Sequence, residues 1–284
     1  MASLFVDALS VIDFSYLDPH RGVIGESWIV DIELEGELNE EGMVFDFSHV
    51  KKAIKAAIDG GMDHRFVVPR HLADLTVEHG ETRATVRYIQ PDRGVIIEYT
   101  APHEAFYWLD SELVTMESAL NDIQSLVRGV VPDNVTNVNV TLRAEDHADA
   151  YYHYSHGLKK HQGDCQRMIH GHRSRIQVFR NGQRQPETEA EIANAWRDIY
   201  LITDEDVTGE CTVSGVACYS MAYEAKQGYF TLTLPKTRCD ILPTDTTVEL
   251  IAEHLLQTVR ALEPDFLWRI RAFEGVNKGA IASG

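Results

Sequence analysis

Residues 27–36, SWIVDIELEG, alternate apolar and polar side chains, which puts Trp28, Val30, Ile32 and Leu34 on one face of a half-buried strand. The period then changes. In DFSHVKKAIKAAIDGG (46–61), Val50, Ile54 and Ile58 recur every four residues and two glycines follow, the pattern of an amphipathic helix with a stop. VTMESALNDIQSLVRGV (114–130) and TVELIAEHLLQTVRAL (247–262) carry the same helical spacing. HADAYYHYSH, NVNVTLRAE and FLWRIRAFE, ending at His156, Glu145 and Glu274, read as strands. Strands joined to one another and followed by helices predict an α+β fold of antiparallel sheets with helices on one face.

The pattern occurs twice. Gly25–Gly36 lies against Gly171–Gly182 without a gap, glycine to glycine at both ends. Residues 86–120 likewise lie against 221–255, and each half closes on a strand that ends in Glu. Two modules follow, residues 1–147 and 148–284, each carrying an additional strand pair near 82–100 or 212–234.

Composition narrows the class. The 284 residues are 44% hydrophobic and 25% charged, enough apolar material for a buried core. The apolar runs fall short of the roughly 20 residues that a membrane-spanning helix needs, and the first residues lack the basic start of a signal peptide. A net charge of −18 disfavours nucleic acid as partner, because that binding rests on Lys and Arg. Cys165, Cys211, Cys218 and Cys239 are irregularly spaced, which fits free thiols in the cytoplasm rather than a disulfide framework. The last three read as ordinary core or loop residues.

Chemistry concentrates in YSHGLKKHQGDCQRMIHGH (154–172). His170 and His172 share a strand face, and the strand ending at His156 brings a third imidazole alongside. Three neutral imidazoles with an open position are the donor set of a catalytic zinc. Cys165 as a fourth ligand would make the site structural instead, and surface histidines are the bland alternative. In the first module Ile24 and Glu26 stand in place of His170 and His172, so that module holds no such metal. It has Asp63-His64 after its helix and Glu145 at its end, where the second module has the acids of LITDEDV (201–207). Asp146-His147 is a second Asp-His pair, and Glu274 a second strand-end acid.

At these residues the chain resembles the 6-pyruvoyl-tetrahydropterin synthase / 6-carboxytetrahydropterin synthase family, whose modules have the tunnelling fold (T-fold). The family pattern of a histidine, a Cys shortly before His-Gly-His, a Gly-Met-Val-x-Asp-Phe turn, an Asp-His pair and a terminal Glu is split here. His156, Cys165, His170 and His172 lie in the second module; GMVFDF (42–47), Asp63, His64 and Glu145 lie in the first. The resemblance implies two divergent family units in tandem, with one composite site per pair.

It further implies a zinc-dependent carbon–oxygen lyase acting on 7,8-dihydroneopterin triphosphate. Zn2+ would sit on His156, His170 and His172, with Cys165 as base, Asp63 and His64 as proton relay, and Glu145 or Glu274 as ring anchor. The product would be 6-carboxytetrahydropterin, on the route to queuosine; the alternatives are the 6-pyruvoyl product or a non-catalytic zinc- and pterin-binding protein. Cys165 to His170 is C-x4-H, between the spacings of the two synthase types, and Asp63-His64 is followed by Arg-Phe-Val-Val where family members carry Leu-Asn. T-fold sheets close into barrels, so the resemblance also implies a homo-oligomer.

Overall fold

The computed structural model describes residues 2–38, 40, 42–44 and 47–284; of the GMVFDF turn, Phe45 and Asp46 lie outside the described residues. The first half runs β1 (Ala2–Asp18), β2 (Gly22–Gly36), α1 (Phe47–Asp59), β3 (Phe66–Pro69), β4 (Thr76–His79), β5 (Arg83–Gln90), β6 (Val95–Pro102), β7 (Phe106–Leu109), α2 (Met116–Arg128) and β8 (Val135–Arg143). The second runs β9 (Tyr151–His156), β10 (His170–Arg180), β11 (Gln183–Arg184), α3 (Pro186–Ala195), β12 (Ile199–Thr203), β13 (Val207–Val213), β14 (Val216–Ala225), β15 (Gly228–Pro235), β16 (Cys239–Leu242), α4 (Val248–Leu262), β17 (Trp268–Phe273) and β18 (Gly279–Ser283).

Each half builds its own sheet, in the order β7-β3-β1-β2-β8 and β16-β12-β9-β10-β17-β18. The hairpins β1–β2, β9–β10 and β17–β18 pair antiparallel, as the alternation predicts. β3, β7, β12 and β16 add parallel pairings that the sequence reading lacked. A helix between β2 and β3 returns the chain to the side where β1 started, and such a crossover permits parallel pairing. Helical faces cover one side of each sheet: Val50, Ile54 and Ile58 of α1 join Trp28, Val30, Ile32 and Leu34 in one core. Ile251, Leu255 and Val259 of α4 pack with Tyr152, Tyr154 and Ile176 in another. α2 is closed at its start by a reciprocal Thr115–Ser118 capping box, and Thr247 caps α4.

The additional strand pairs are not separate decorations. They form one six-stranded sheet, β13-β14-β15-β6-β5-β4, in which β6 of the first half pairs with β15 of the second.

The two main sheets also meet face to face at their hairpins. Ser15 and Ser155 hydroxyls lie 2.7 Å apart. Gly25 and Gly171 bring the backbones so close that a Cβ on either would overlap main-chain atoms of the opposite module. Ser15 pairs with Phe66 as Ser155 pairs with Tyr200. At these hairpins the halves are thus related by an internal two-fold, and residues of β1, β2 and β3 have counterparts in β9, β10 and β12.

Candidate functional site

On β9 and β10, His156 stands directly opposite His170, with His172 two residues on. Antiparallel partners share a face, so all three imidazoles point to the same side. Their ring centroids are 4.4, 5.4 and 5.8 Å apart, and ligand nitrogens of all three fall within 4.8 Å of one another. Each is almost completely buried.

The outer nitrogens are engaged by surrounding groups. His156 Nδ1 lies 2.9 Å from the Thr246 carbonyl, and His170 Nδ1 3.1 Å from the Arg167 carbonyl. A carbonyl only accepts, so each Nδ1 carries the proton and each Nε2 presents a lone pair. Nε2 of His156 and of His172 is buried without a hydrogen-bond partner. Burial and the neighbouring imidazoles push the pKa of His156 and His170 well below the ordinary value, which keeps both neutral. Neutral, converging and orphaned nitrogens fit a bound Zn2+ or a related divalent ion.

The third outer nitrogen faces the other module. His172 Nδ1 lies 3.2 Å from Asp13 Oδ1 of β1. Burial opposes the charge on Asp13. His172, Lys278 and Ser27 outweigh that cost and hold its carboxyl below the usual range. Carboxylate behind imidazole is the arrangement that orients a metal-binding histidine. Asp13 was missed as a site residue, although a charged residue inside the apolar run VIDFSY is a readable signal.

Asp13 also places the Asp63-His64 pair. Its N–H donates to Asp63 Oδ1 at 2.8 Å, and its carbonyl accepts from His64 N–H at 2.7 Å. His64 adopts φ 53°, and its Nδ1 lies 2.7 Å from Asp63 Oδ2. That strained, doubly bonded turn carries the ring across the module boundary, to a centroid 5.3 Å from that of His170. His64, Cys165 and His170 form a second set of ligand atoms within 4.8 Å. Burial works against a charged His64, but hydrogen bonds and charge from Asp63 and Cys165 prevail and raise its pKa to about 10.

Cys165 sits in a short turn, Asp164–Gln166, of the β9–β10 connection. Seven residues named from the sequence therefore divide unevenly. His156, His170, His172, Cys165, Asp63 and His64 come together within one chain.

Glu145 does not join them. Its Oε1 accepts from Arg175 at 2.8 Å and its carbonyl accepts from Arg173 at 3.0 Å. Those arginines project from the face of β10 opposite to His170 and His172, because strand side chains alternate. His147 lies on that same far side, 3.8 Å from Glu145. Glu274 is the strand-end acid on the metal side: Lys278 stands 3.8 Å from it and 3.1 Å from Asp13.

Across the two-fold, Tyr16, Ile24 and Glu26 replace the three histidines. Asp198, with φ 57°, stands where His64 does, three residues ahead of Leu201 of LITDEDV. Arg21 forms a two-pronged ion pair with it, Nε to Oδ2 at 2.9 Å. A cleft of about 800 Å³ opens here, lined by Arg21, His153, Arg184 and Arg197 among others. Arg21 is committed to Asp198, and Arg184 to Glu189 and Asp149, so two of its three guanidinium charges are already spent on partners.

Known proteins resemble this chain in sequence. The model of the 6-pyruvoyl tetrahydropterin synthase family matches residues 13–123 and 147–284. A putative 6-carboxy-5,6,7,8-tetrahydropterin synthase of Pyrococcus horikoshii is 31% identical over 146 residues, covering 49% of this chain and 87% of the relative. A protein of the same description from Pyrococcus abyssi is 36% identical over 62 residues, 22% of this chain and 36% of its own. Among solved structures, 6-pyruvoyl tetrahydropterin synthase of Plasmodium falciparum matches 50% of this chain and 97% of its own at 18% identity, TM-score 0.39. Its Plasmodium vivax counterpart gives 16% identity, the same coverage and TM-score 0.36. With family matches over most of both halves, the chain is a tandem T-fold protein and belongs to the 6-pyruvoyl tetrahydropterin synthase family.

Proposed function

We propose that this chain is a zinc-dependent 6-carboxytetrahydropterin synthase. It would convert 7,8-dihydroneopterin triphosphate and water to 6-carboxy-5,6,7,8-tetrahydropterin with release of triphosphate and acetaldehyde, as a step toward queuosine. The observation that carries the reading is the meeting of His64 of one half with Cys165 and His170 of the other. The Pyrococcus relative's description supports the carboxy product. The working unit would be modules 1–147 and 148–284 together.

His156, His170 and His172 would hold the zinc, which as a Lewis acid lowers the pKa of hydroxyls bound to it. Asp13 would keep the His172 ring in its ligating orientation. Cys165, as thiolate, would take a carbon-bound proton from the substrate side chain, with His64 beside it. His64 would then return or relay a proton at its Nε2, with Asp63 holding Nδ1. Glu274 replaces Glu145 as the carboxylate to accept the ring's N–H donors, since it alone of the two faces the metal side.

Among the described residues no strand pairs with the outer edges of β8 and β18. Edge strands of this kind recruit further strands, and a homo-oligomer would close them. Light scattering of the purified protein reads the copy number.

Product analysis by mass spectrometry, after incubation of zinc-loaded protein with dihydroneopterin triphosphate, tests the assignment. A 6-carboxy pterin is the expected result. A 6-pyruvoyl pterin would move the protein to the other synthase type, and unchanged substrate with zinc bound would overturn the synthase reading.

A further inference from the structure

We propose that Gln227, at the tip of the β14–β15 hairpin, is a positioning residue that fixes Cys165 against His64; this rests on the synthase reading above. The β9–β10 connection that carries Cys165 has only a single 3-10 turn, Asp164–Gln166, of its own. Leu158 N–H donates to the Cys165 carbonyl at 2.9 Å across the loop, and the other bonds within it are short-range. Much of its remaining support comes from one hairpin. Tyr223 Oη donates to the Gln166 carbonyl at 2.8 Å, and a Cβ on Gly157 would strike that same hydroxyl.

Gln227 grips both flanks of the cysteine. Its Nε2 donates to Asp164 Oδ1 at 2.7 Å, its Oε1 accepts from Arg167 Nε at 3.1 Å, and its N–H donates to Gln166 Oε1 at 2.8 Å. Arg167 closes the ring, 2.9 Å from Asp164 Oδ1, and reaches across the module boundary to the His64 carbonyl at 3.3 Å. A primary amide suits this place for a chemical reason: one end must donate to a carboxylate while the other accepts from a guanidinium. Glutamate would set a second carboxylate against Asp164.

The hairpin is itself anchored to the half that supplies His64. β15 pairs with β6 through Thr231–Thr100, Leu232–Tyr99 and Thr233–Glu98. Arg83 of β5 donates to the Tyr229 carbonyl at 2.8 Å, beside the hairpin tip. The six-stranded sheet thereby acquires a role. It carries the position of the His64 module to the loop of the Cys165 module, so that thiol and imidazole meet in register.

The test uses the full zinc-loaded protein and four forms: wild type, Gln227→Ala, Gln227→Glu and the double variant Asp164→Asn/Gln227→Glu. The double variant reverses donor and acceptor across the same contact and gives Arg167 a carboxylate. Gln227→Ala is expected to lower kcat about 10- to 100-fold, the scale of a small misplacement of reacting groups, with KM within about 3-fold and zinc content unchanged. Gln227→Glu should lose more, and the double variant should return kcat to within about 5-fold of wild type.

Amide hydrogen exchange of residues 163–168, read without substrate, should quicken about 10-fold in Gln227→Ala while residues 170–178 stay protected. Unchanged exchange at 163–168 would overturn the proposal, as would quickened exchange with kcat intact. A wild type that makes no pterin product overturns the synthase reading instead, and exchange alone then decides whether Gln227 holds the loop.

Discussion

The two sides of the internal two-fold began from one blueprint and differ in almost every polar atom. On one side His156, His170 and His172 leave lone pairs facing a common point, and Cys165 faces His64. On the other, Tyr16, Ile24 and Glu26 fill the ligand positions, and Arg21 is locked to Asp198. The backbone is shared: His64 and Asp198 both sit at positive φ, at φ 53° and 57°. A conserved turn geometry therefore does not carry a conserved chemistry. The metal side leaves buried polar atoms unpaired for a ligand, whereas the opposite side pairs its central charges internally. Unpaired buried groups cost stability and persist where function requires them.

Breaking the comparison on the metal side should have the largest effect. Cys165→Ala is expected to lower turnover by about 10³-fold or more while zinc content, read by elemental analysis, stays at the wild-type level. Arg21→Met, at the matching place across the two-fold, should leave turnover within about 3-fold. Loss of zinc in Cys165→Ala would instead make the thiol a fourth ligand of a structural site.

The shared hairpin contact comes next. Gly171→Ala forces a methyl into Tyr154, Ser15 and Gly25 of the two modules. Backbone atoms there cannot rotate away, so a destabilisation of about 3 kcal/mol or more is expected in urea titration. Turnover should fall with it, because that docking helps bring His64 and Cys165 together.

A finer comparison sets Asp13 against Glu26, the two buried acids of the contact. Asp13→Asn removes the charge behind His172 and should weaken zinc binding about 10- to 100-fold in a chelator competition. Glu26→Gln should leave zinc affinity unchanged. Equal effects would show that the two sides are not divided as described.

Glu26 also has a pH signature. Burial raises its pKa to about 7 from the ordinary 4.5. Between those values the native state holds a proton that the unfolded chain has released. Stability from this group is thus complete below about pH 4.5 and is lost as pH rises through 7. Glu26→Gln is expected to stabilise the protein by about 1–3 kcal/mol at pH 8, and to change little at pH 5. Denaturant midpoints at the two pH values give the difference.

Much of this division was legible in the chain. Alternation placed Trp28, Val30, Ile32 and Leu34 on one face, and the four-residue spacing placed Val50, Ile54 and Ile58; all are buried. Of the elements, α3 escaped because its weak apolar stripe, Glu189 buried against Arg184 included, does not show as a period. Glu145 and Glu274 end their strands in the same spelling, and nothing local separates them. Arg175 decides, by capturing Glu145 on the far face.

By itself the sequence determined the doubled pattern, the class of fold and the pairing of His170 with His172, because periodicity and ungapped repeats are properties of a linear chain. Tertiary structure decided which distant residues meet: His64 with Cys165 and Asp13 with His172 across the modules, and Gln227 with Asp164 and Arg167 within the second. Those contacts join positions 60 to 159 residues apart, by the numbering of the pairs 64–165, 13–172, 227–164 and 227–167. Docking of two hairpins through paired glycines, and of two strand inserts through β6 and β15, creates them. No pattern within either segment encodes such contacts, since they depend on close approach between surfaces that each module folds separately.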